Sequence, residues 1–194
     1  AFLARMDPSN GNWMWVSGFE GQAHSDWSVA IEPSVSGGVY VAGNYASNSL
    51  AHDGRTLMSG WGDGGLTDAF VAEFNSTGAL LAYSSVFDPD ASLEVSDLAV
   101  PTEGLVLLAG HYIGQAAYAV PNKTVNEAPG YSEGFVAAWQ PVNQTWMWMA
   151  SIGGAGSDEI YSISQDDEGG AYVLARSSSL VTYSINPDNS SRIT

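Results

Sequence analysis

Apolar and polar residues alternate along this chain in short runs that return. Phe2, Ala4 and Met6 in AFLARM are matched by Phe70, Ala72 and Phe74 in AFVAEF and by Phe135, Ala137 and Trp139 in GFVAAW. Val181, Tyr183 and Ile185 in LVTYSI match them more loosely. A period of two belongs to strands, since successive side chains leave a strand on opposite faces. The opposite positions Leu3, Val71, Val136 and Ala138 are apolar too, as expected of a sheet covered on both sides.

A turn follows each run: DPSNGN from Asp7, NSTG from Asn75, QPVNQ from Gln140 and NPDNSS from Asn186. A second alternating strand comes next, with Trp13, Trp15 and Phe19 answered by Leu81, Tyr83 and Phe87 and by Trp146, Trp148 and Ile152. A hairpin completes the unit. Its clearest copies are SDWSVAIEPSVSGGVYVAG from Ser25 and SDEIYSISQDDEGGAYVLA from Ser157. The middle copy, SLEVSDLAV with LVLLAG, carries Asp97 where the others carry Ala30 and Ser162. Insertions at 44–67 and 111–133, rich in Gly, Ser, Asn and Pro, read as surface loops. Phe2, Phe70, Phe135 and Val181 stand 68, 65 and 46 residues apart, and the differences fall almost wholly in that insertion.

Repeats of four short strands, none able to bury both faces alone, predict blades stacked on like blades in a β-propeller. The pattern resembles the seven-bladed-type β-propeller repeats of secreted and cell-surface proteins. The resemblance rests on DAFVAEF with its turn from Asp68 to Gly78, on SIGGAGSDEIYSIS from Ser151 to Ser164, and on GGVYVAG from Gly37 to Gly43. It implies an extracellular, mainly structural protein whose blades place the hairpin innermost and share no catalytic set. The expected organisation is one all-β segment: an outer strand pair at 1–19, blades at 20–87 and 88–152, and an incomplete blade at 153–194. That is about three blades of four antiparallel strands, fewer than the ~4–8 of a closed ring. The missing blades are therefore expected from the same polypeptide or from another copy of the chain.

Composition narrows the partners. Five basic against 21 acidic residues give a formal charge of −16, which repels nucleic acid and anionic membrane surfaces. The absence of cysteine removes disulfides, thiolate metal sites and cysteine nucleophiles. No apolar run approaches the ~18 residues of a membrane span, and a secretory signal would have to lie upstream of Ala1.

Candidate chemistry is sparse. Sequons at Asn75, Asn122, Asn143 and Asn189 are glycosylation candidates, three of them in the same turn of successive units. Asp166, Asp167 and Glu168 are weak calcium candidates, weighed against a solvated acidic turn. The histidines His24, His52 and His111 lack metal-ligand spacing, and no G-x-S-x-G, Walker or Asp-box motif occurs. The leading expectation is a non-catalytic, cofactor-free module of a surface or filament glycoprotein with a structural, adhesive or protein-interaction role. The alternative is a carbohydrate-binding or carbohydrate-active propeller using Trp61, Asp63, Tyr112 and Tyr131 of the insertions.

Overall fold

The structure, a computed structural model, describes residues 1–21, 25–34, 36–59, 66–86, 91–102, 104–114, 123–124, 128–178 and 183–184. All regular structure among them is β. The strands are β1 (Phe2–Met6), β2 (Trp13–Gly21), β3 (Asp26–Pro33), β4 (Val39–Tyr45), β5 (Ser49–His52), β6 (Arg55–Ser59), β7 (Asp68–Phe74) and β8 (Leu80–Val86). They continue as β9 (Ala91–Thr102), β10 (Leu105–Gly114), β11 (Lys123–Thr124), β12 (Ala128–Gln140), β13 (Thr145–Gly153), β14 (Asp158–Gln165), β15 (Ala171–Ser177) and β16 (Tyr183–Ser184).

Two sheets contain four antiparallel strands of one repeat, β3-β4-β7-β8 and β9-β10-β12-β13. Before them stands β1-β2-β5-β6, and after them the hairpin β14-β15. Alternation sends the two faces of each interior strand into different cores. Phe70, Ala72 and Phe74 of β7 pack with Leu3 and Phe19 of the first sheet. Ala69 and Val71 pack with Leu93, Phe135 and Trp139 of the third. From the third sheet, Leu107 and Ala109 turn to Ile160 and Ile163 of β14. The four sheets therefore stack face to face in chain order. Phe70, Phe74, Phe135 and Trp139 are completely buried, and each contributes about 4–6 kcal/mol before entropy is subtracted.

The repeats agree down to their irregularities. In all three outer hairpins the register slips at the same repeat position near the turn, between Arg5 and Met6, Glu73 and Phe74, and Ala138 and Trp139. The skipped residues are Met14, Leu81 and Met147, all exposed. The inner hairpins share a second slip, which skips Val29, Ser96 and Tyr161. This register sets Asp97 level with Ala30 and Ser162, as the sequence suggests, because the three pair with Ala109, Ala42 and Leu174.

Four sequence expectations are corrected, and the first is the surface loop expected at 111–133, of which 111–114, 123–124 and 128–133 belong to β10, β11 and β12. The middle outer strand is matched one residue earlier, by Leu80, Ala82 and Val86, and Leu81 is its bulge. Apolar residues on both faces hide a one-residue slip from a reading by period. The insertion at 44–67 is more than loop, since its hairpin β5-β6 extends the preceding sheet by pairing Phe19 with His52 and Gly21 with Leu50. Residues 183–184 do not continue the last hairpin as its third strand. They pair with Ile152 and Gly153 of β13, as β5 pairs with β2. Ser184 follows the end of β15 at the same seven-residue distance at which His52 follows the end of β4. Each of these two insertions thus clasps the sheet before its own.

Candidate functional site

The residues singled out by sequence are mostly engaged in structure. Asp166 begins the β14–β15 turn, and its Oδ1 accepts from the backbone N–H of Glu168 at 2.9 Å and of Gly170 at 2.7 Å. Asn75 does the same in the β7–β8 turn, accepting from Thr77 N–H and Ala79 N–H at 2.9 Å each. Both turns place a glycine at φ +87°, a region other residues avoid, at Gly169 and Gly78. Asp166 thus shapes the turn that Asp167 and Glu168 belong to, through the backbone N–H groups its Oδ1 accepts from. No three acidic or histidine side chains converge on a metal position among the described residues.

Asn143 is exposed in its turn, beside Gln144 at φ +52°. Asn75 is half-buried and also accepts from Thr77 Oγ1 at 2.8 Å. Asn122 and Asn189 lie outside the described residues, as do Trp61, Asp63 and His24. Tyr131 is exposed on β12. Tyr112 is completely buried against Phe135, with ring centroids 6.4 Å apart, and presents no ligand face.

One serine, histidine and aspartate do meet. Ser17 Oγ stands 3.5 Å from His52 Nδ1, and His52 Nε2 stands 3.4 Å from Asp53 Oδ2. The same Nδ1 lies 2.9 Å from the Gly18 carbonyl, which can only accept. Nδ1 therefore carries the proton and cannot take one from Ser17, so the trio is no nucleophile relay. Phe19 and Phe74 enclose the ring.

Recurring buried acids escaped the sequence reading. Asp68 and Glu133 lie opposite Tyr45 and Tyr112 across adjacent strands, and Asp158 is buried at the start of β14. Burial, then the charge of Asp68, pushes the Tyr45 phenol well above its ordinary value, and Asp26 adds to this. The signal was present, because an acid precedes each interior Phe-Val-Ala run and an Asp follows Ser25 and Ser157.

The largest departure from a sealed structure lies at the two ends of the stack. Phe2 is 69% exposed, although its counterparts Phe70 and Phe135 are 0% exposed beneath the preceding sheet. Met6, Trp13 and Val16 of the same face are open as well, while their third-sheet counterparts Trp139, Trp146 and Met149 are buried. At the other end Tyr172 is 71% exposed, whereas its counterpart Tyr40 is 3% exposed beneath the third sheet. Leu174 is open where Ala42 and Ala109 are buried. Ile31, on the second sheet's face toward the first, is 60% exposed against 1% for Leu98 and 5% for Ile163. Beside it runs a groove of about 230 Å³ lined by Leu3, Ala4, Trp15, Ile31, Pro33 and Val39, between β1 and the β3-β4 hairpin. Exposed apolar side chains thus gather at repeat positions that the interior sheets keep buried. No family model matches the chain, and no curated protein is significantly similar to it.

Proposed function

We propose that this chain is an arc of a β-propeller whose function is structural: it presents apolar blade faces and strand edges to further blades, within a surface or filament assembly. The observation that carries this reading is the contrast between interior and terminal copies of one repeat position, buried at Phe70 and Phe135 and open at Phe2. The same slips in successive sheets support a constant rotation from layer to layer, since bulges set local twist. An extracellular setting agrees with the acidic charge and with sequons in successive outer turns at Asn75 and Asn143. No helix among the described residues is long and apolar enough to cross a membrane.

A glycan array paired with a glycoside-hydrolase screen tests this reading. A scaffold gives neither selective binding nor turnover. Saturable turnover of a glycan would replace it with the carbohydrate-active alternative.

A further inference from the structure

The two open ends are complementary halves of one sheet. In both interior sheets the inner hairpin pairs with the outer one through its second strand, β4 with β7 and β10 with β12. The end hairpin β14-β15 is an inner pair, and no strand flanks β15 on its other side among the described residues. The opening hairpin β1-β2 is an outer pair, and β1 is the edge of its sheet. Bare edges invite strand addition.

We propose that β15 of one copy of this chain pairs antiparallel with β1 of a second copy, completing the four-strand unit β14-β15-β1-β2 between chains. The interior sheets set the register. Val41 faces Ala72 and Gly43 faces Phe70, while Leu108 faces Ala137 and Gly110 faces Phe135. By the shared register of the inner hairpins, Val173 and Ala175 stand where Val41 and Gly43 do. Val173 therefore faces Ala4 of the second copy, and Ala175 faces its Phe2. The departure is the methyl of Ala175, which requires the Phe2 ring to sit off the position that Phe70 takes over Gly43.

This one pairing covers the open faces at both ends of the stack and the groove over Ile31. Phe2, Met6, Trp13 and Val16 of the second copy come to lie on the third sheet of the first. Tyr172 and Leu174 of the first copy enter the groove over Ile31 of the second. Among the described residues of one chain the second and third sheets stand between the two edges, and a second copy carries the complement of each. Two such junctions close a ring of six sheets, each built on one four-strand unit, within the ~4–8 blades of closed propellers.

The inference rests on the propeller reading for ring closure alone, and light scattering on purified protein tests it. The wild type is expected at twice the chain mass of 20.4 kDa. Phe2→Asp and Leu174→Asp change exposed side chains, so each variant folds, as far-UV circular dichroism checks, yet each alone runs as a monomer with association at least tenfold weaker. An equal mixture recovers a one-to-one dimer, because the intact tail of the first variant meets the intact head of the second. A chain without native cysteine lets a disulfide read the register. Phe2→Cys with Ala175→Cys gives a disulfide-linked dimer on mild oxidation, whereas Phe2→Cys with Tyr172→Cys, about 10 Å out of register, does not. A monomeric wild type, a single variant that still dimerises, a mixture that stays monomeric or the reverse disulfide result would each overturn the pairing. A monomer would leave the module reading in place, and glycan turnover would remove that reading while leaving the pairing.

Discussion

Asn44 ties the second sheet to the third with both ends of its amide. Its Nδ2 donates to the Val95 carbonyl at 3.0 Å, and its Oδ1 accepts from the Val95 N–H at 2.7 Å. Asn44→Ala leaves both backbone groups buried without these bonds and is expected to cost roughly 2–4 kcal/mol, read as a lower urea midpoint at unchanged slope. Asp97 makes the corresponding link from the third sheet to the fourth, accepting from Ser162 Oγ at 2.7 Å and from Ile163 N–H at 3.0 Å. That gives a physical reason for the one acid among Ala30, Asp97 and Ser162. Tyr45 supplies a test against pH. Its phenol is held protonated in the folded chain above the ordinary 10.0, so over that range the unfolded chain binds fewer protons and stability falls as pH rises. Tyr45→Phe removes this dependence, and its melting temperature should fall less steeply than the wild type's above pH 10.

The strands with strict alternation were legible, because β7 and β12 carry large residues on one face and small or branched ones on the other. The hairpins were legible too, since Gly37 and Gly169 mark turns of equal length. What escaped was pairing, which period alone does not encode. LVTYSI alternates like AFVAEF, yet its described part pairs with β13, and SLAH at 49–52 is too short to announce β5. The bulges escaped for the same reason, although they leave a trace in glycine. A Cβ added at Gly110 would stand 2.0 Å from the Glu94 carbonyl oxygen, beside the skipped Ser96, whereas one at Gly18 would meet nothing within 4 Å. Gly110→Ala is therefore expected to destabilise by about 1–3 kcal/mol or more and Gly18→Ala by far less, measured by chemical denaturation. The β14–β15 turn predicts that calcium or a chelator leaves the melting temperature unchanged. A calcium-dependent rise abolished by Asp166→Ala would restore Asp166, Asp167 and Glu168 as ligands.

At the scale of the molecule, a stack of repeats buries its faces against neighbours, so its terminal layers keep what interior layers hide. The sequence shows Phe2 and Phe70 as equivalents, and only the three-dimensional arrangement shows that one of them is bare. A charge of −16 per chain opposes association, so assembly should strengthen as salt screens the repulsion, seen as a larger dimer fraction at 0.5 M than at 0.05 M sodium chloride. Hydrogen exchange resolved along the chain, at concentrations where the assembly forms, tests the junction most directly. The account predicts that amides of 171–176 and 2–6 are protected as strongly as those of β4 and β7 inside the second sheet. Fast exchange at both edges beside slow exchange in β4 and β7 would contradict it.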